Sequence, residues 1–175
     1  MRLLPALVLA LALVAGAAHA DDVAEARKLL AAGDREAALK RVDQALAAKP
    51  GDQQARFLKG VILAEDGKTV DAIEIYERLT QDYPELPEAH NNLAALYAAR
   101  GELDRARVSL EMAIRTNPGF ATAYENLGDV YVQLAARAYE RAVLIDAGNR
   151  RAGNKLAVAR DLTKPKPKPE PPAKP

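Results

Sequence analysis

A fixed 34-residue period is the feature that most constrains how this chain can fold. Glycine and proline recur one period apart, at Gly33, Gly67 and Gly101 and at Pro50, Pro84 and Pro118. Apolar and small residues between these marks keep the same phase, at the spacing of two helical stripes that face each other. Each copy therefore predicts a helix–turn–helix unit, with glycine in its turn and proline after its second helix.

The third copy, residues 87–119, shows the unit most fully. Its marks follow in the order His90, Leu93, Ala94, Tyr97, Gly101, Ala106, Leu110, Ala113 and Pro118. This order resembles the tetratricopeptide repeat (TPR), whose pattern is W-x₂-L-G-x₂-Y, then A-x₃-F, then P. The resemblance implies an all-α solenoid in which helix pairs stack into a right-handed superhelix. It also implies that the first helix of each pair lines a concave groove.

The predicted repeat domain spans residues 21–162. Its four repeats are expected at about 21–52, 53–86, 87–120 and 121–149, with a short C-terminal capping helix at 150–162. The first helix is rich in alanine and carries several charges, which suits the solvated end of a stack.

The fourth copy departs from the pattern. The A-x₃-F-x₂-A spacing returns five residues early, as Ala135, Tyr139 and Ala142. The stretch Val132–Arg137 contains no Gly, Pro, Asn, Asp or Ser that could make a turn or cap a new helix. We therefore predict three full repeats and a fourth in which Ala121–Asp146 is one long fused helix.

The second half of this long helix needs a cover, because it cannot fold back on the first half. The segment Arg151–Leu162 is expected to supply it. The side chains expected to pack against the long helix are Leu156, Ala159 and Leu162. The apolar side chains they would cover are Tyr139, Val143 and Ile145. Without this cover, the exposed stripe would favour a homodimer.

Residues 1–20 are predicted to be a secretory signal peptide that is cleaved after Ala20. Arg2 supplies a positive start, Leu3–Val14 is mainly apolar, and Ala18-His19-Ala20 gives a small-x-small cleavage pattern. The alternative, an uncleaved anchor, is less favoured because the apolar run is shorter than the ~20 residues that cross a bilayer.

The resemblance extends to small periplasmic TPR proteins of bacteria. We therefore expect an exported, periplasmic protein with no stable membrane insertion after cleavage. Residues 163–175 are rich in Lys and Pro, which predicts a disordered tail in an extended polyproline conformation.

Composition excludes several function classes. The net charge is only +1, so no global basic field indicates a nucleic-acid partner. The absence of cysteine excludes disulfides, thiol catalysis and cysteine-based zinc sites. No nucleophile–base pair or phosphate-binding loop is found, so we predict neither enzymatic activity nor a cofactor. His90 is interpreted as a packing residue, because no second histidine outside the signal segment could complete a metal site.

The resemblance places the family's groove positions on a defined set of residues. The predicted partner-binding residues are Phe57, Val61, Glu65, Glu88, Asn91, Asn92, Ala95, Ala99, Glu125, Asn126 and Asp129. Each has an alternative role: Phe57 could pack against a neighbouring helix, the asparagines could be surface residues, and the acids could be ordinary solvated charges.

One well-known version of this groove resembles a carboxylate clamp, which grips acidic chain ends with Lys and Arg. Phe57 and Val61 stand here where the clamp has Lys and Asn, and Thr122 and Asn126 stand where it has Lys and Arg. The clamp function is therefore rejected. The groove is expected to prefer a neutral or basic segment with an apolar anchor. The leading hypothesis is an adaptor that binds a segment of another envelope protein; the alternative is a self-associating scaffold or spacer.

Overall fold

The computed structural model describes residues 22–164, and all of their regular structure is α-helical. Eight helices lie in this range: α1 (22–31), α2 (Arg35–Ala48), α3 (Gln53–Glu65), α4 (Thr69–Asp82), α5 (Pro87–Ala99), α6 (Leu103–Thr116), α7 (Ala121–Ile145) and α8 (Arg150–Leu162). Within these residues no helix combines the length and the apolarity needed to cross a membrane. The predicted signal peptide and nearly all of the predicted tail lie outside the described residues.

The first six helices form three hairpins, as the period predicted. Gly33, Gly67 and Gly101 end the first helix of each pair with φ of 85°, 75° and 75°, a left-handed conformation that glycine adopts without strain. Asp34 and Asp52 cap the following helices, because their carboxylates accept hydrogen bonds from backbone N–H groups three residues later.

Consecutive helices pack against one another from α2 to α8, so the chain is a stack rather than a bundle around one centre. Small residues let the paired helices approach closely. At Gly60 an added Cβ would lie 2.6 Å from Cζ of Tyr76, so the ring of α4 sits directly on the α3 backbone. Ala94 holds the equivalent place in α5 and is fully buried.

Helix α7 confirms the predicted fused helix. Its 25 residues run without a turn from Ala121 to Ile145, about 37 Å at 1.5 Å per residue. Its first half packs on α6 and α5, with Ala123 and Val130 buried. Its second half extends past the third repeat and packs on α8.

Helix α8 covers α7 differently from what the sequence suggested. The residues of α8 that are buried are Ala152, Leu156 and Ala159. The prediction for Leu162 and Ile145 is wrong, since these side chains are 67% and 75% exposed. Leu162 follows Ala152 by ten residues and is therefore rotated about 80° away from the contact line. Ile145 is the last residue of α7, where the chain turns away toward α8.

Candidate binding groove

The amino-terminal part of the stack contains an open groove between α1, α3 and the start of α5. Its volume is about 410 Å³. The residues that line it are Arg27, Gln53, Gln54, Phe57, Leu86 and Glu88. Of the predicted partner-binding residues, the structure brings together Phe57 and Glu88 in this groove.

Arg27 was missed when the groove residues were assigned from the sequence. Arg27 lies on α1, is exposed, and contributes to the groove lining together with Glu88 of α5. The signal was present, because Arg27 stands one 34-residue period before Val61, a predicted groove position. The groove is therefore lined by one cation, one anion, two amides and an aromatic ring, and it is not purely acidic.

Phe57 is half-buried and serves both the groove and the core. Its ring meets Tyr76 edge-on, with centroids 5.6 Å apart. The Tyr76 hydroxyl donates to the Phe57 carbonyl oxygen (3.4 Å) and accepts from Nδ2 of Asn92 (3.0 Å). Burial raises the pKa of Tyr76 to about 12, and the hydrogen bond from Asn92 opposes that rise. Asn92 thereby fixes the ring on which Phe57 rests.

Asn91 and Asn126 join the helices that begin the third and fourth repeats. Nδ2 of Asn126 donates to Oδ1 of Asn91 over 2.8 Å, which links α7 to α5. Asn91 is only 8% exposed, so its side chain lies within the helix contact. The binding role assigned to these amides stays a prediction; the structure adds that their hydrogen bond links α5 to α7.

The remaining predicted residues lie along the first helices of the repeats. Val61 is half-buried on α3, whereas Ala95 and Ala99 are exposed on α5. The exposed acids of this set are Glu65, Glu88, Glu125 and Asp129. Glu65 approaches Nε of Arg35 at 3.9 Å, a weak surface pair. Glu125 and Asp129 belong to the first half of α7, away from the groove at Phe57.

His90 lies in the contact between helices. It is 7% exposed, and its Nε2 is 3.0 Å from the Pro84 carbonyl oxygen. The ring therefore ties the start of α5 to the loop that precedes it. Within residues 22–164, no group of three or more His, Asp or Glu side chains is arranged to hold a metal ion.

Two sequence models described as tetratricopeptide repeat match this chain, at residues 23–87 and at residues 63–128. A curated relative is the chloroplastic tetratricopeptide repeat domain-containing protein PYG7 of Arabidopsis thaliana. It is 33% identical over 88 residues, which are 47% of this chain and 29% of the relative. The chain therefore spans less than a third of the length of that relative.

Solved structures share the fold. The crystal structure of MamA protein matches with a TM-score of 0.64 and 25% identity, covering 83% of this chain and 82% of that chain. The first TPR of Spaghetti (RPAP3), solved bound to the HSP90 peptide SRMEEVD, matches with a TM-score of 0.64 and 15% identity. It covers 67% of this chain and 93% of that chain. These matches confirm the all-α TPR solenoid that the resemblance implied.

Proposed function

Because the chain belongs to the tetratricopeptide repeat family, we propose that it is a non-enzymatic adaptor that binds a segment of another protein in the groove beside Phe57. The fold commonly mediates protein–protein interaction, and the structure of RPAP3 was solved with a peptide bound. The single observation that supports this site is an open groove of about 410 Å³ with a half-buried aromatic side chain in its lining. An aromatic anchor surrounded by polar residues is the usual composition of a peptide-binding hot spot.

The chemistry of the lining indicates the kind of segment that fits. Phe57 and Leu86 offer an apolar contact, and Gln53 and Gln54 can donate to and accept from a peptide backbone. Arg27 is the only cation of this lining and is balanced by Glu88. A carboxylate-rich chain end would meet one cation rather than a cluster. We therefore expect neutral segments with an apolar anchor to bind better than acidic ones.

Photo-crosslinking in the native cells tests the site and identifies the partner. A photoreactive amino acid at Glu88, an exposed groove position, should capture a discrete protein. The same group at Val108, which is 51% exposed on α6 and outside the groove, is the matched control and should not capture it. Equal capture at both positions, or at neither, would contradict the groove assignment.

Peptides from the captured segment then test the chemistry. Phe57→Ala should weaken binding by about 2 kcal/mol or more, as expected for a hot-spot aromatic. Because Phe57 also packs on Tyr76, the exposed variant Glu88→Lys provides a second readout that leaves the core intact. It should weaken a basic peptide and strengthen an acidic one. A peptide ending in several acidic residues that binds more tightly than the captured segment would overturn the proposed preference.

We further propose that the protein is exported and acts among envelope proteins. The support is the sequence pattern of residues 1–20, with its charged start, apolar run and small-x-small end. Amino-terminal sequencing of the protein from a periplasmic fraction should begin at Asp21. Recovery from the cytoplasm with Met1 retained would contradict export.

A further inference from the structure

Three residues of α7 form an unfilled contact surface. Tyr124 and Tyr131 are 50% and 49% exposed, although both are large and apolar in their rings. Between them lies Gly128, where an added Cβ would meet nothing within 4 Å. These residues follow one another at spacings of four and three, so they share one face of the helix. We call this face the open socket.

The equivalent face is filled in the earlier repeats. Gly128 stands two 34-residue periods after Gly60, which is buried directly beneath the Tyr76 ring of the next helix. Ala94, one period before Gly128, is fully buried beneath α6. The open socket is therefore the place where the second helix of repeat four would pack if the repeat had its turn.

The sequence of that second helix is present in this chain, but in the wrong place to fill its own socket. The mutual spacing of Ala135, Tyr139 and Ala142 is the same as that of Ala72, Tyr76 and Leu79 on α4. The later set stands five residues earlier than the 34-residue period would place it. They lie on the second half of α7, which continues straight on from the first half. Tyr139 is thus about 16 Å along the helix axis from Gly128 of the same chain and cannot reach it.

We propose that two copies of this chain pack their α7 helices antiparallel, so that each copy completes the fourth repeat of the other. In this register Gly128 of one copy receives Tyr139 of the second copy. Tyr131 then lies opposite Ala135, and Tyr124 lies opposite Ala142. Every pair occurs twice, as the two-fold symmetry of a homodimer requires.

The surfaces on either side of this contact suit a second copy. An open apolar groove of about 370 Å³ runs between α7 and α8. Its lining includes Tyr139 and two exposed apolar side chains of α8, Val158 (62%) and Leu162 (67%). An antiparallel partner helix would enter this groove beside Tyr139 and cover them. Helix α8, which forms one wall of the groove, would stay packed on the second half of α7 in the dimer.

Charge favours the same arrangement. The first half of α7 exposes Glu125 and Asp129 and carries no base before Arg137. Helix α8 carries four basic residues and one acidic residue, and Nζ of Lys155 lies 5.4 Å from the centre of the Tyr139 ring. An antiparallel pair brings the acidic half of each copy against the basic end of the other. The groove at Phe57 lies on α1, α3 and α5 and stays open in both copies.

The purified full chain tests this inference by light scattering after size-exclusion chromatography across a dilution series. We expect a dimer at tens of micromolar. Gly128→Ala should raise the dimer dissociation constant about tenfold or more, because the new Cβ would collide with Tyr139 as it would at Gly60 with Tyr76. The same variant should raise the melting temperature of the dilute monomer, because alanine favours an exposed helix over glycine.

Gly153→Ala is the matched control. It makes the same change within α8, has nothing within 4 Å of the new Cβ, and lies outside the groove lining. It should raise helix stability and leave the dimer unchanged. A monomer at all concentrations would overturn the inference. A dimer that Gly128→Ala does not weaken would also overturn the inference, because its contact surface would not include Gly128.

Disulfide trapping fixes the register. The chain has no cysteine, so single introduced cysteines are unambiguous. A mixture of Tyr131→Cys and Ala135→Cys chains should form the mixed disulfide in preference to either self-pair. Glu74→Cys, on an exposed position of α4, controls for random collision. Equal trapping of all combinations, or trapping at position 74 alone, would contradict the antiparallel register.

Discussion

At the scale of single residues, Tyr76 joins three helices, α3, α4 and α5. Its ring lies on Gly60 and against Phe57, and its hydroxyl bridges Asn92 to the Phe57 carbonyl. The side chain is 1% exposed. Burial makes the ionised phenolate costly, so the pKa of Tyr76 rises from 10.0 to about 12. Phe57, which lines the groove, is therefore in direct contact with a titratable side chain.

This coupling predicts a specific loss of stability at alkaline pH. The unfolded chain releases the Tyr76 proton near pH 10 and the folded chain near pH 12. The stabilising contribution of protonated Tyr76 is therefore fully present below pH 10 and is lost between pH 10 and 12. Its size is about 3 kcal/mol, since one pKa unit corresponds to about 1.4 kcal/mol. Tyr76→Phe should cost about 1 kcal/mol at pH 8, through its lost hydrogen bonds.

Urea unfolding at several pH values checks the sign. The difference in the free energy of unfolding between the wild-type chain and Tyr76→Phe should shrink or reverse as the pH rises from 10 to 12. Val108→Ala, which keeps Tyr76 and removes no titratable group from an exposed position of α6, is the control and should follow the wild type in parallel. A difference that stays constant with pH would show that Tyr76 does not titrate in this range.

Sequence could predict backbone positions at this scale better than side-chain contacts. The period placed Phe57 and Glu88 correctly on first helices, because every repeat folds alike. It could not show that Asn91 turns toward Asn126, or that Asn92 turns toward Tyr76. Those contacts depend on rotamers and on residues 16 to 35 positions away in the sequence. Arg27 was missed for a different reason: the first repeat was treated only as an end cap.

At the scale of elements, α7 shows how much a missing turn determines. The three hairpins each use a glycine with positive φ, and the fourth copy has no glycine or other turn-forming residue in the equivalent stretch, Val132–Arg137. Length and continuity of α7 could therefore be predicted from the sequence alone. The residues by which α8 packs on α7 could not be predicted, because a shift of one or two residues along α8 decides whether Leu162 faces α7 or solvent.

Restoring the turn should restore the repeat. Insertion of Arg-Gly-Glu-Leu-Asp, the sequence of residues 100–104, after Gln133 places the new glycine one 34-residue period after Gly101 and moves Ala135, Tyr139 and Ala142 into phase with the earlier second helices. We expect α7 to split into a hairpin in which Tyr139 covers Gly128 of its own chain. The inserted protein should then be monomeric while its helix content stays nearly constant.

Distance measurement between spin labels separates the two shapes. Labels on cysteines introduced at Glu125 and Arg141 should be about 24 Å apart along a continuous α7. In the inserted chain they should approach to little more than the 8–10 Å between packed helix axes, plus the label arms. Dilution with unlabelled chain removes distances between copies. An unchanged distance after insertion would mean that the missing turn does not cause the long helix.

At the scale of the whole molecule, the stack has two unequal cores. The larger core joins α4, α5, α6 and the first half of α7 and contains large side chains such as Tyr97 and Leu110. The smaller core joins α1, α2 and α3; half of its buried residues are alanine, and Val42 is one of its largest fully buried side chains. Because each repeat contacts mainly its neighbours, stability should vary along the chain instead of being shared equally.

Hydrogen exchange followed by mass spectrometry should therefore show lower protection in α1 and α2 than in α5 and α6. Val42→Ala should lower the stability of the smaller core by about 2 kcal/mol and speed exchange in α1 and α2 only. Leu110→Ala should cost about 2–5 kcal/mol and speed exchange in α5, α6 and the first half of α7. If either variant speeds exchange equally from α1 to α7, the stack unfolds as one unit.

Unequal protection also affects the groove, because Arg27 lies on the less stable α1 whereas Phe57 and Glu88 lie on α3 and α5. A bound segment that contacts all three should raise protection most in α1, where local opening starts from the lowest free energy.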